Sequence, residues 1–279
     1  MLSLIIRINN MNSEELAWKI KRHGVEMTHI SRGSHIGAIL SVSDIIAVLY
    51  TDILNVDPQN PKKENRDRLI LSKGHAGAAI YAALAERGFF STNELATHYA
   101  DGSRLSGHVS HKGVPGVEFS TGSLGHGLPV AVGMALDAKM EHKDYHIYVV
   151  MGDGECDEGS VWEASMFAHH HKLDNLTVIV DYNKMQSLTF CEDTLSLAPL
   201  DKKFESFGYN VLSIDGHNHD ELRKAFHTTF TNGSPKLILA NTIKGKGISF
   251  MENNILWHYR TPQGEEYEAA VKELEEQKP

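Results

Sequence analysis

Two short apolar runs end in residues that can do chemistry. The first closes on Gly152-Asp153-Gly154-Glu155, and the second, farther along the chain, closes on Asp181-Tyr182-Asn183-Lys184-Met185. Glycine lets the backbone turn sharply and bring bare N–H groups close to a ligand. A helix that begins after such a turn adds unpaired N–H donors and the positive end of its dipole, which suits a phosphate. Asp153 stands where it can hold a metal that neutralises the same phosphate. With the Asn183 amide oxygen and a nearby backbone carbonyl it makes a hard oxygen site, which favours Mg²⁺ or Ca²⁺ over zinc. Gly-Asp-Gly by itself reads more simply as a turn. The strand before it, the helix after it and an asparagine closing the next strand favour a diphosphate–metal site instead.

Seventeen histidines are an unusual number for 279 residues. Histidine serves metals, proton transfer and phosphate binding, so position decides what each one does. A single histidine in a glycine-rich loop is more often a turn or surface residue than a functional one. His169-His170-His171 fall near a helix C-terminus, where positive charge is favoured, and have no second ligand cluster to complete a metal site. Cys156 and Cys191 have no recognisable base partner and are expected to be passive thiols.

The elements that must position these groups divide the chain in two. The first 100 residues or so read as helical. Asn12-Ser13 caps a helix to Ile30, Ser43 is a plausible cap for another, and Gly74 to Gly88 is an alanine-rich helix closed by glycine. Asp101 to Gly127 is glycine-rich loop interspersed with His108, His111 and His126, and helix resumes from Leu128 to Glu141. The second half alternates. Strands at His146–Met151, Leu176–Asp181, Val211–Ile214 and Lys236–Ala240 are separated by helices at Glu158–His171, Asp201–Phe207 and His219–Phe230. This is an α/β pattern, a mostly parallel sheet with helices on both faces, formed here by one domain over residues 1–279. Ligands in such sheets bind beyond the carboxyl ends of the strands, which points at Gly152 and Asn183. The acidic stretch Glu265 to Glu276 reads as a solvated helix.

The net charge of −9 argues against nucleic acid or an anionic membrane as the main partner. Two cysteines make no disulfide framework and point to a reduced, cytoplasmic setting. The start, Met1 to Arg7, is too short an apolar run for a signal peptide, and no stretch approaches the roughly 18 apolar residues of a membrane span.

Taken with the rest of the chain, the Gly152-Asp153-Gly154 to Asn183 segment resembles the thiamine diphosphate signature, and further motifs narrow the resemblance to the transketolase family. Gly33-Ser34-His35-Ile36-Gly37 is similar to the family's first histidine motif, with Ile36 in place of its proline. Leu71-Ser72-Lys73-Gly74-His75-Ala76 is similar to its second. Gly107-His108, Pro115-Gly116-Val117-Glu118 and Ser120 to Gly127 resemble the loop over the thiazolium, with His126 where many relatives carry glutamine. Lys244-Gly245-Lys246-Gly247 and Trp257-His258 resemble its closing segment. The resemblance implies a thiamine-diphosphate-binding fold with these roles. Asp153, Asn183 and the Met185 carbonyl hold the metal. His75, Gly122, Ser123, Leu124, Gly154, Glu155, Asn183 and His258 contact the cofactor. His35, His108 and His258 act as catalytic residues on the sugar, and Glu158 joins a carboxylate network across a dimer interface. The cofactor carries the carbanion chemistry, while the protein positions oxygens and moves protons.

A full-length transketolase continues past this point with a pyrimidine-binding domain that supplies the glutamate activating the cofactor. The chain's end at Pro279 therefore leads to the expectation of a separate C-terminal subunit, an α₂β₂ assembly and sugar or sugar-phosphate substrates. Related readings are a subunit similar to 1-deoxyxylulose-phosphate synthase or to an oxo-acid dehydrogenase, and a non-catalytic cofactor-binding partner. The Ser-Lys-Gly-His and Pro-Gly-Val-Glu motifs favour transketolase among them.

Overall fold

The computed structural model describes residues 11–279; the Met1–Arg7 run read in the sequence lies outside the described residues. Asn12 caps helix α1 (Ser13–Ser31) by accepting from Glu15 N–H at 2.8 Å. Helix α2 (Ile36–Val48) is buried along its whole length and runs on through a π turn, Leu49–Ile53. The expectation that no stretch approaches membrane length is corrected here. Ile36–Ile53 is long and apolar enough to span a bilayer, but 83% of it is buried inside the protein, as a core helix is. Ser43 is also not a cap. It sits inside α2, where its hydroxyl donates to the Ile39 carbonyl, the bond serine makes when it must fit a helix interior.

The sequence reading passed over strand β1 (Arg68–Leu71), because four residues without polar alternation carry no period of their own. Helix α3 (Gly77–Glu86) follows, then a long loop and α4 (Gly127–Met140). The alternating half comprises β2 (Ile147–Gly152), α5 (Gly159–His170), β3 (Leu176–Tyr182), α6 (Cys191–Thr194), α7 (Leu200–Ser206), β4 (Asn210–Asp215), α8 (His219–His227), β5 (Lys236–Asn241) and α9 (Glu265–Glu276).

The sheet is entirely parallel, in the order β1-β2-β3-β5-β4. Successive residues of β2 alternate between two cores, as the period of a strand requires. Tyr148 and Val150 join the core under α1, α2 and α3, while Ile147, Val149 and Met151 join the core under α4, α5 and α7. Ala270 and Leu274 seat α9 on the protein, and Trp18 of α1 donates its indole N–H to the Leu274 carbonyl at 2.8 Å. The register pairs Gly152 with Asp181, so the two functional strand ends lie side by side.

Candidate cofactor site

At the carboxyl ends of β2 and β3 the chain folds around a cavity of about 250 Å³. Its floor is a buried charge network. Asp181, at the end of β3, is fully buried and accepts from Lys73 Nζ, the Thr242 hydroxyl and, at 2.7 Å, the Ser41 hydroxyl. Lys73 is itself 1% exposed and holds the Asp181 carboxyl below its ordinary range against the upward push of burial. The Asn183 amide donates to Ser41 Oγ at 3.3 Å, so helix α2 helps orient the residue that closes β3.

Asp153 stands above this floor. Its carboxylate accepts from Gly154 N–H at 2.8 Å and from Lys184 N–H, which ties the two strand ends together. Burial first and the Asp181 charge second push it up to about 6, so a cation at this carboxylate would meet an anion already stripped of water. Lys184 takes a left-handed conformation (φ 67°) that turns the chain between Asn183 and Met185. The Asn183 Oδ1 accepts from Met185 N–H at 3.1 Å. Asp153, Asn183 and Met185 all line the cavity, and a carboxylate, an amide oxygen and a backbone carbonyl are the kind of hard donors that suit Mg²⁺ or Ca²⁺. The expected helix after this turn is present within a residue of its expected bounds, Glu158–His171, but it does not reach back to Gly154. A 3-10 turn, Asp153–Asp157, intervenes, and α5 begins only at Gly159, so its dipole does not sit at Gly154.

Four histidines also line the cavity. The His35 ring lies 5.2 Å from His75, 5.6 Å from His108 and 4.9 Å from His258 between centroids. His35 is held in the left-handed region (φ 76°) just before α2, with its N–H donating to the His258 carbonyl at 2.7 Å. Ile36, where the family motif has proline, opens α2 and is fully buried. Burial first, then His108 and the charges of Lys244 and Lys73 beside it, lower His35 to about 4. His258 falls to about 3 and His75 well below the usual value, again through burial first and nearby lysines next. These imidazoles are therefore neutral at pH 7.

Glu155 lines the cavity, but its carboxylate is committed inside the protein. It accepts from Ser72 Oγ, from Gly125 N–H at 3.0 Å and from Gly152 N–H at 2.9 Å, tying three segments of the site together. Gly122 and Leu124 line the cavity; Ser123, between them, is exposed and does not. His111 pairs with Ser120 at 2.7 Å on the outside, and His126 turns back to the Leu124 carbonyl at 2.9 Å; neither lines the cavity. Glu158 is exposed just before α5. Gly74 is required by close approach, since a Cβ there would collide with the Thr121 carbonyl. Both cysteines are buried thiols, and burial pushes Cys191 up to about 12.

Sequence reasoning missed two lysines. Lys73 and Lys244 both line the cavity. Lys244, 2% exposed, donates to the Met185 and Gln186 carbonyls at 3.1 and 2.9 Å and stands 2.9 Å from His258 Nδ1. Burial, with Lys73 nearby, lowers it to about 8, and an anion bound beside it would reverse that. The signal was present in Ser72-Lys73-Gly74-His75 and Lys244-Gly245, each a lysine next to glycine just past a strand. Tyr259, 61% exposed, stands at the mouth 4.7 Å from the His258 ring.

The family described as "Transketolase, thiamine diphosphate binding domain" matches residues 13–275. An apulose-4-phosphate transketolase subunit of Phocaeicola vulgatus is 42% identical over 259 residues, covering 92% of each chain. The 6-deoxy-6-sulfo-D-fructose transketolase subunit SqwG of a Clostridium species is 46% identical over 87% of this chain and 89% of its own. Among solved structures, the Campylobacter jejuni transketolase superposes with a TM-score of 0.88 at 34% identity; this chain spans 43% of that one's length. Fold, site and these likenesses agree, and the chain belongs to the transketolase family through its thiamine-diphosphate-binding domain.

Proposed function

We propose that this chain is the diphosphate-binding subunit of a two-chain transketolase that moves a two-carbon ketol unit from a ketose to an aldose. The observation that carries the reading is its likeness, over about nine-tenths of both chains, to proteins named as single subunits of transketolases. A separate subunit would bring the pyrimidine-binding domain and the activating glutamate, in an α₂β₂ assembly. The chain acts as one domain, and its working compartment is the cytoplasm.

In this reading Asp153, Asn183 and the Met185 carbonyl hold Mg²⁺, or Ca²⁺ in its place. Lys244, His75, His258 and the Gly154 backbone hold the diphosphate. Gly122 and Leu124 lie against the rings, and Glu155 keeps the surrounding segments in place. When bound, thiamine diphosphate supplies the carbon nucleophile and the electron sink that carbon–carbon cleavage of a ketose needs. His35 and His108 hydrogen-bond sugar hydroxyls, and His258 serves both diphosphate and sugar. Because the imidazoles are neutral, each offers one donor and one acceptor, which suits orienting hydroxyls and passing protons between them.

The test is turnover with thiamine diphosphate and Mg²⁺. The chain alone is expected to show none, and adding its partner subunit is expected to restore ketol transfer, with Asp153→Asn inactive in the restored enzyme. Full activity from this chain alone would refute the divided site. Pyruvate decarboxylation by the assembled pair would place it with another reaction of the same cofactor.

A further inference from the structure

Behind the cavity, a buried cluster outside the site contacts the segment that carries Lys244. Asp44 of α2 is 5% exposed and receives four contacts from three side chains. Lys21 of α1 donates to both of its oxygens at 2.9 and 3.0 Å, His217 Nδ1 lies 2.7 Å from Oδ2, and His219 Nε2 lies 3.3 Å from Oδ1. His217 stands in the loop between β4 and α8, far from the cavity walls in sequence. Its other ring nitrogen, Nε2, is 2.8 Å from the backbone N–H of Ile243.

A backbone N–H can only donate, so Nε2 must carry a lone pair and the ring proton must be on Nδ1, aimed at Asp44. The geometry therefore fixes the tautomer. The carboxylate selects the ring form that can accept at Nε2, and that acceptor holds Ile243, the residue immediately before Lys244. The two loops also touch one residue earlier, since a Cβ on Gly216 would press within 2.5 Å of the Thr242 side chain and 3.2 Å of the Asn241 carbonyl.

We infer that His217, locked by Asp44, is a positioning residue that sets the turn from which Lys244 enters the cofactor cavity. The inference rests on the reading of that cavity as the cofactor site. Other ties hold the same turn. Thr242 N–H donates to the Tyr182 carbonyl at 3.2 Å, and Gly245 N–H donates to the Gly37 carbonyl at 3.0 Å. Loss of the His217 link should therefore loosen Lys244 without releasing it. The lysine has little freedom to absorb a shift. Its stem passes Gly37 so closely that a Cβ there would come within 3.2 Å of Lys244 Cγ.

Two amide substitutions separate positioning from plain stability. His217→Gln keeps an acceptor near the place of Nε2 and gives up the Asp44 link. His217→Asn keeps a donor to Asp44 and leaves the Ile243 N–H unpaired. Both remove one hydrogen bond, so both should lower thermal stability by similar amounts. Thiamine diphosphate affinity, measured by calorimetry with Mg²⁺ and the partner subunit present, should fall about fivefold further in the Asn variant than in the Gln variant, roughly the scale of one hydrogen bond lost from the turn that aims Lys244. Equal affinities in the two variants overturn the inference. Acetylation of Lys244 by acetic anhydride, followed by mass spectrometry without cofactor, gives a readout that does not depend on binding. The Asn variant should react faster than the Gln variant and the parent chain, and equal rates overturn the inference. If the parent chain bound no cofactor even with its partner subunit present, the cofactor reading itself would fail, and the acetylation rates would still decide the role of His217.

Discussion

Substituting Lys73 by methionine tests the charge network beneath the cavity. Lys73 and Asp181 are 1% and 0% exposed, and each has the other as its charged partner. Methionine keeps most of the stem's volume and removes the ammonium. Asp181 would keep the Ser41 and Thr242 hydroxyls but lose the cation that holds its carboxyl down against burial. Breaking one side of a buried ion pair costs about 3–5 kcal/mol, because the remaining charge is stranded away from water. That is a large share of the roughly 5–15 kcal/mol that holds a typical domain together. The sign with pH follows. In the variant the Asp181 carboxyl has a folded pKa raised above its unfolded value, so the destabilisation is small at low pH and grows as pH rises through the folded value. Urea unfolding of the parent chain, Lys73→Met, Asp181→Asn and the double variant at pH 5.5 and 7.5 measures all of this. The double variant should be more stable than Lys73→Met alone, with a coupling of about 2 kcal/mol or more in the cycle. A cost below about 1 kcal/mol for Lys73→Met, or simple addition of the two single effects, would refute the stranded-charge argument.

Gly74→Ala should cost about 1–3 kcal/mol, because the new Cβ meets the rigid Thr121 backbone and pushes the Gly122 loop away from His75; thermal melts with and without thiamine diphosphate would show both the loss of stability and weaker stabilisation by the cofactor. His98 lies outside the cavity, is 5% exposed and is lowered to about 4 by burial. The unfolded chain therefore binds its proton first as pH falls below about 6.5, and stability present above that pH is lost towards pH 4, by about 2 kcal/mol at pH 5 from this one ring. Urea midpoints between pH 7.5 and 5 should fall accordingly, and His98→Leu should flatten part of that slope.

The legible part of the site was the part written in local pattern. Gly152-Asp153-Gly154 and Asn183 stand at the ends of apolar runs, and the parallel sheet brings those ends together as the alternation of strands and helices requires. Strand β1 escaped notice because four residues show no period. Ser43 was misread as a cap because a serine inside a fully buried helix looks the same in sequence as one at its start. Glu155 and Ser123 read as cofactor contacts by their place in the motifs. The fold instead commits the Glu155 carboxylate to three neighbouring segments and leaves Ser123 outside the cavity.

The sequence by itself determined the chemistry available: an oxygen-rich strand end for a metal, histidines for hydroxyls, and strands that must lie parallel. Those properties reside in side-chain type and in spacings of a few residues. Only the tertiary structure decided which charged and polar groups meet. Lys73 meets Asp181 across 108 positions of chain, and His217 meets Asp44 across 173. Contacts at such separations follow from the closing of the whole sheet and its helices, and no local spacing encodes them. The same closing strips the Gly152-Asp153-Gly154 turn of water, so a sequence that supplied only a turn became a site whose buried Asp153 favours a cation.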